Sequence, residues 1–154
     1  MELSEIISTD AVSGHLKVAS KKRLLQELAE MAHSVCGLPQ KETFNALQER
    51  ELLGPTGMGH GVAIPHARMP GLDKVVGLFV KLDKPVDFEA VDKEPVDLVF
   101  ALFAPDGAGA EHLKALARVS RTLRDAAVRA KLRSTEEPSA LYAILTEPPA
   151  SRAA

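Results

Sequence analysis

The chain has 154 residues, 45% of them hydrophobic and 26% charged, an ordinary balance for one globular domain. Lys and Arg total 19 against 21 Asp and Glu, a net charge of −2, which excludes a global positive field for nucleic acid or anionic lipid. With no Trp and one Tyr there is little to stack on single-stranded nucleic acid, and one cysteine, Cys36, excludes an internal disulfide framework and an all-cysteine metal site.

The first ten residues lack the basic start and apolar core of a signal peptide, and the cysteine usage fits a reducing compartment, so a cytoplasmic location is expected. The strongest apolar runs, Val75–Leu82 and Val96–Pro105, fall far short of the ~20 residues that cross a bilayer, so no membrane insertion is expected.

In chain order, an early strand is expected over Val12–Val18. Ser20 then reads as an N-cap, followed by Leu24, Leu25, Leu28, Met31, Ala32 and Val35 at helical spacing, with Gln26, Glu30 and His33 opposite. Lys21-Lys-Arg23 reads as a solvated helix start and Cys36 as a mid-helix core residue; Gly37 and Pro39 stop the helix. A second helix is predicted over about 40–53, burying Phe44, Leu47 and part of the Leu52–Leu53 pair. Gly54-Pro-Thr-Gly-Met-Gly-His-Gly61 follows as a glycine-rich loop, then Val62–His66 as a short strand-like run.

Val75–Leu82 and Val96–Ala104 are nearly continuous in apolar residues, which predicts strands buried on both faces. Asp106-Gly107 marks a turn, and a helix over about 110–124 places Leu113, Leu116, Ala117 and Leu123 on one side. Arg118, Arg121 and Arg124 recur at i, i+3, i+6 as a solvent-facing basic stripe. Ser134-Thr-Glu-Glu137 has the form of a capping box opening a final helix with Leu141, Ile144 and Leu145. Residues 147–154 carry no large apolar anchor and are expected to be an unstructured tail, leaving 1–146 as the domain. The order predicts an α/β fold with a mixed central β-sheet flanked by helices on both sides.

The glycine segment is the most unusual stretch. It is not a P-loop, because no Gly-Lys-Ser/Thr follows, and the dinucleotide fingerprint fails because Val62 stands where its third glycine belongs. An anion-binding nest of backbone N–H groups and a plain flexible connection both remain open. Three histidines, His60, His66 and His112, lie on or after this segment. One reading is a metal site built from all three, although structural zinc usually takes a fourth ligand. The other is nucleophilic: a neutral imidazole at His66, fixed after Ile64-Pro65, accepts a phosphoryl group. His112 at a helix start then donates to it, and Arg50 clamps two phosphoryl oxygens. His15 and His33 read as surface residues.

Ser20-Lys-Lys-Arg23, Arg50-Glu51, the glycine segment running into Ala63-Ile-Pro-His66, Pro95-Val-Asp-Leu-Val-Phe-Ala-Leu102 and His112-Leu113 together resemble the enzyme IIA domain of the phosphoenolpyruvate-dependent phosphotransferase system. The resemblance is to the mannitol/fructose superfamily, closest to its nitrogen-regulatory branch, and covers about residues 1 to 146. It implies the mannitol-type enzyme IIA fold and a phosphotransferase component with a phosphohistidine intermediate and no cofactor. His66 becomes the acceptor from a histidine phosphocarrier protein, with His112 and Arg50 completing the active site. Thr56, Gly57, Gly59, His60 and Gly61 become phosphate- or partner-binding positions. In the nitrogen branch the downstream partners are regulatory targets such as potassium transporters or sensor kinases; in the sugar-transport branch the partner is an enzyme IIB. The chain departs from the family at His60, where asparagine is usual, at Pro55 in place of a small polar residue, and at Ala67-Arg68 in place of Gly-Lys. A metal-binding or non-catalytic interaction module is the alternative of another class.

Overall fold

Residues 1–148 are described by the computed structural model. Strand β1 (Val12–Leu16) precedes helices α1 (Lys21–Cys36) and α2 (Gln40–Leu53). Strands β2 (Gly57–Gly59), β3 (Val62–Ala63), β4 (His66–Arg68), β5 (Val76–Val86) and β6 (Val96–Ala104) follow, and then α3 (Gly109–Arg124), α4 (Ala126–Arg133) and α5 (Pro138–Thr146). Leu3–Glu5 and Thr9–Ala11 form single 3₁₀ turns. Among the described residues no helix is long and apolar enough to cross a membrane.

The sheet runs β1-β5-β6-β3-β2, with β4 also paired to β6. It is mixed: β5 and β6 are antiparallel, as are β2 and β3, whereas β1 pairs β5, and β3 and β4 pair β6, in parallel. The fold class is the expected one. Every residue of β6 except Asp97 is buried, because helices cover both sides and the strand has neighbours at both edges. Phe79, Phe100 and Phe103 fill the middle of this core.

The strand-like run at Val62–His66 is one parallel strand with a break. Val62 faces Leu98 and Ala63 faces Val99, and the same register resumes with His66 opposite Leu102. Between them, Pro65 has no N–H to give, and its carbonyl accepts from Leu102 N at 2.9 Å. The glycine segment ahead of it is not a loop: Gly57–Gly59 is an edge strand. It is joined to β3 by a two-residue turn in which His60 and Gly61 both take positive φ, 57° and 78°. Such turns match the twist of a hairpin and favour Asn, Asp or Gly; His is one of the few other residues enriched there.

Helices α1 and α2 begin and end where expected. Ser20 Oγ accepts from Arg23 N, and Gly37 closes α1 in the left-handed conformation. Cys36 is the last residue of α1 and half-buried, not mid-helix. Burial pushes its thiol pKa up, and the Asp10 charge adds to this.

Other expectations fail. Leu52 and Leu53 are exposed by 82% and 85%, and Leu113 by 68%. α2 turns Thr43, Leu47 and Glu51 inward, and α3 turns His112, Ala115, Val119, Thr122 and Leu123 inward, leaving Ala117 exposed. Arg118 leaves the basic stripe, because its side chain is mostly buried and pairs with Glu2 at 3.1 Å. Ser134–Glu137 is not a capping box. Ser134 ends α4, an element absent from the sequence reading, and α5 starts after Glu137 with no side-chain cap. The cap that matters is Asp125, which accepts from Ala127 N and Val128 N and opens α4. Of the expected tail, Glu147 lies 3.7 Å from Lys131, and residues 149–154 fall outside the described residues.

Two substitutions separate the two caps. Asp125→Ala is expected to cost about 1 kcal/mol in urea unfolding, the usual loss for an N-cap. Ser134→Ala, which removes only a bond to the Lys131 carbonyl, is expected to cost a fraction of that. Equal losses would contradict the assignment.

Candidate active site

The break at Ile64–Pro65 sets the conformation of His66. Its Nδ1 lies 2.8 Å from the Ile64 carbonyl, an acceptor, so Nδ1 carries the proton. Nε2 is then the lone-pair nitrogen, and Arg50 Nε donates to it at 3.2 Å. Arg50 reaches it from the last turn of α2 and is steadied by a second bond, Nη1 to the Gly54 carbonyl at 2.8 Å. The ring is half-buried with its tautomer fixed from both sides.

His112 comes from the first turn of α3 and stands edge-on to His66, ring centroids 5.5 Å apart and planes at 72°. It is buried, and its Nε2 has no hydrogen-bond partner among the described residues. An unpaired buried polar atom beside a ring nitrogen with a free lone pair is where an incoming polar group would be received. Burial holds the His66 imidazole below its ordinary pKa and the Arg50 cation adds to this, while the Ile64 carbonyl and the Glu51 carboxylate pull the other way. Burial likewise lowers His112, reinforced by the charges of His66 and Arg68. Both rings are therefore neutral at pH 7, as a nitrogen nucleophile must be.

The structure thus brings His66, His112 and Arg50 together. The other expected positions are employed elsewhere. Thr56 is buried, and both its N–H (3.2 Å) and its hydroxyl donate to the Glu51 carboxylate. Gly57 packs against the segment after β5, where a Cβ would meet the Ala90 Cβ at 2.9 Å. His60 donates its N–H to Asp92 at 2.9 Å and receives Arg133 Nη2 on its carbonyl at 2.6 Å. Arg133 also grips Asp97 at the start of β6, five residues before the position opposite His66, about 16 Å along a strand. His60 is therefore not brought to the other two histidines, and the three-histidine metal set is not assembled. Among the described residues one donor group is close enough to share an ion, the exposed His15, Asp83 and Glu136, where His15 Nδ1 lies 2.7 Å from Asp83.

Three contributors went unrecognised in the sequence. Lys21 is not a solvated helix start: its Nζ lies 2.7 Å from the buried Glu51, 3.4 Å from the Phe88 carbonyl and 4.8 Å above the Phe88 ring. Glu51 is the second member of the pair and Arg68, on β4, is the third. The signal available was the carboxylate at Glu51, placed at the spacing of Thr43 and Leu47 on the inward face of α2, which demands a buried cation.

The family model of the phosphoenolpyruvate-dependent sugar phosphotransferase system, EIIA 2, matches residues 5–147. A nitrogen regulatory protein of Bradyrhizobium diazoefficiens is 50% identical over 153 residues, 99% of this chain and all of that one. The crystal structure of nitrogen regulatory protein IIA-Ntr from Neisseria meningitidis superposes with a TM-score of 0.88 at 35% identity, covering 94% of this chain and 99% of that one. Mannitol IIA from Escherichia coli shares the fold, with a TM-score of 0.75 at 23% identity over 90% of this chain and 97% of that one.

Followed by NMR, the ring protons of His66 and His112 are expected to titrate below the ordinary imidazole value of about 6.5. Arg50→Gln removes a nearby cation and is expected to raise the His66 midpoint. Because the unfolded chain binds these protons more readily, both rings leave stability intact above about pH 6.5 and erode it as pH falls toward the folded values. A wild-type His66 midpoint at or above 6.5 would contradict the site electrostatics.

Proposed function

We propose a function that starts from kinship: the chain belongs to the EIIA 2 family of the phosphoenolpyruvate-dependent sugar phosphotransferase system, and His66 is its phosphoryl acceptor. The observation that carries this reading is the His66 ring itself, with its proton held on Nδ1 by the Ile64 carbonyl and its Nε2 lone pair next to Arg50.

The donor is a histidine phosphocarrier protein carrying a phosphohistidine. His66 Nε2 attacks phosphorus in line. The Nε2–P bond forms, the donor's N–P bond breaks, and that electron pair returns to the donor imidazole. Arg50 releases Nε2 and turns its planar donors to the phosphoryl oxygens, and the unpaired His112 Nε2 supplies a further hydrogen bond when protonated. The proton on Nδ1 stays with the Ile64 carbonyl throughout. It leaves the loaded ring cationic, so that onward transfer releases a neutral imidazole, a good leaving group. Little covalent work falls on the protein; positioning and charge carry the step.

Downstream, we favour the regulatory branch over sugar uptake, since the relative that shares half its residues with this chain over its full length is named a nitrogen regulatory protein. On this reading the phosphorylation state of His66 governs contacts with cytoplasmic targets, of which potassium transporters and sensor kinases are the kinds to test. The enzyme IIB acceptor of the sugar-transport branch is the competing partner.

Intact mass after incubation with phosphoenolpyruvate, enzyme I and the phosphocarrier tests the acceptor. Wild type should gain one acid-labile phosphoryl group and His66→Ala none. Arg50→Ala and His112→Ala should transfer about 10²–10³-fold more slowly, the usual loss when one donor to developing charge is removed. A modified His66→Ala protein would refute the acceptor, and an unimpaired Arg50→Ala would refute the clamp.

A further inference from the structure

The acceptor histidine is held by more than its immediate neighbours. Glu51 is a carboxylate with a side chain only 5% exposed, and Lys21, 18% exposed, lies 2.7 Å from it. Two paths lead from this carboxylate to the two nitrogens of one ring. Along the first, Thr56 donates its N–H and hydroxyl to Glu51, Ile64 N donates to the Thr56 carbonyl at 3.1 Å, and the Ile64 carbonyl receives His66 Nδ1 at 2.8 Å. Along the second, Glu51 pins the last turn of α2 to the start of α1, and the preceding residue of that turn, Arg50, donates to His66 Nε2.

We propose that Glu51, held by Lys21, is a positioning residue for phosphoryl acceptance, fixing the tautomer and the aim of His66 through Thr56 and Ile64 on one side and through Arg50 on the other. This rests on the acceptor reading above. Stability alone gives poor reason for a buried ion pair, since an apolar pair of like volume is often as stable or more so. What a charged pair adds is direction: the carboxylate accepts from Lys21 and from both donors of Thr56, so one rotamer satisfies all three. Neither Lys21, Glu51 nor Thr56 touches the reacting nitrogen, and each acts through another residue. The same pair reaches further, because Lys21 also binds the Phe88 carbonyl and covers its ring, tying in the segment that packs on Gly57.

Two readouts test the proposal on the full-length protein. ¹⁵N NMR of the imidazole reports the tautomer of His66, and rapid-mixing kinetics report phosphoryl acceptance from the phosphorylated carrier. Wild type and Lys21→Arg should show the proton on Nδ1 and comparable rates. Glu51→Gln and Lys21→Met should show a mixed tautomer and a maximal rate lower by about 10–10²-fold, the scale of a misaimed reacting group, with the carrier's apparent KM little changed. If Glu51→Gln does not fold, Thr56→Val, which removes only the hydroxyl, carries the same expectation at the milder end. Folded Glu51→Gln or Thr56→Val with a wild-type tautomer and rate overturns the proposal. A wild type that accepts no phosphoryl group overturns the acceptor reading instead, and the tautomer measurement then still decides whether Glu51 positions the ring.

Discussion

The site depends on a single interruption in a buried parallel strand. Val62–Arg68 would run unbroken beside β6, since its register is the same before and after Ile64–Pro65. Proline has no N–H to give to a ladder, so the chain must leave regular pairing there, and the carbonyl of Ile64 turns to the imidazole two residues on. That bond selects the tautomer, the tautomer decides which nitrogen keeps its lone pair and faces Arg50, and on the proposed reading that nitrogen is the one an incoming phosphoryl group meets. Because β6 is walled in by neighbours and helices, the break cannot wander. A rigid centre thus presents a locally irregular residue, which is where a reacting side chain gains most from preorganisation.

Much of this was legible in the residues. Continuous apolar runs predicted β5 and β6, and Ser20 with Gly37 bounded α1, because these signals are local. What failed was non-local. Leu52, Leu53 and Leu113 share the spacing of core residues, yet they neighbour Arg50 and His112, whose own side chains are spoken for at the site, and the helix faces carrying these leucines are uncovered. The capping-box pattern at Ser134–Glu137 is locally valid, but α4 already occupies the chain up to Arg133, so Ser134 closes a helix instead of opening one. Nothing local distinguishes those two uses.

The glycines show the same limit in another form. Gly57, Gly59 and Gly61 alternate, and alternation is a strand's period as much as a nest's. The structure uses it as a strand, with Gly57 close against Ala90 and the His60–Gly61 turn facing Asp92 and Arg133. His60 then answers to a conformational need, a residue that tolerates positive φ, rather than to chemistry at His66. Lys21 was misread for the opposite reason. A lysine at a helix start is ordinarily solvated, and its partner Glu51 lies thirty positions away on the next helix, so no window along the chain shows both.

Glu51 stands next to Arg50 in sequence, but consecutive side chains on a helix point apart: Glu51 turns inward to Lys21 and Thr56, while Arg50 faces Nε2. The charges that act on the two rings are Arg50 and Glu51 at His66 and Arg68 at His112, while Lys21 lies between Glu51 and Glu89; around the rings this leaves a surplus of one positive charge beside neutral imidazoles. A phosphoryl group brings about −1.5 to −2 at pH 7. Burial first, and this surplus second, hold the imidazoles unprotonated, and on the proposed reading the same surplus matches the charge of the phosphoryl group. A free carboxylate added near His66 would raise the ring's pKa and, on the proposed reading, repel the phosphoryl group as well.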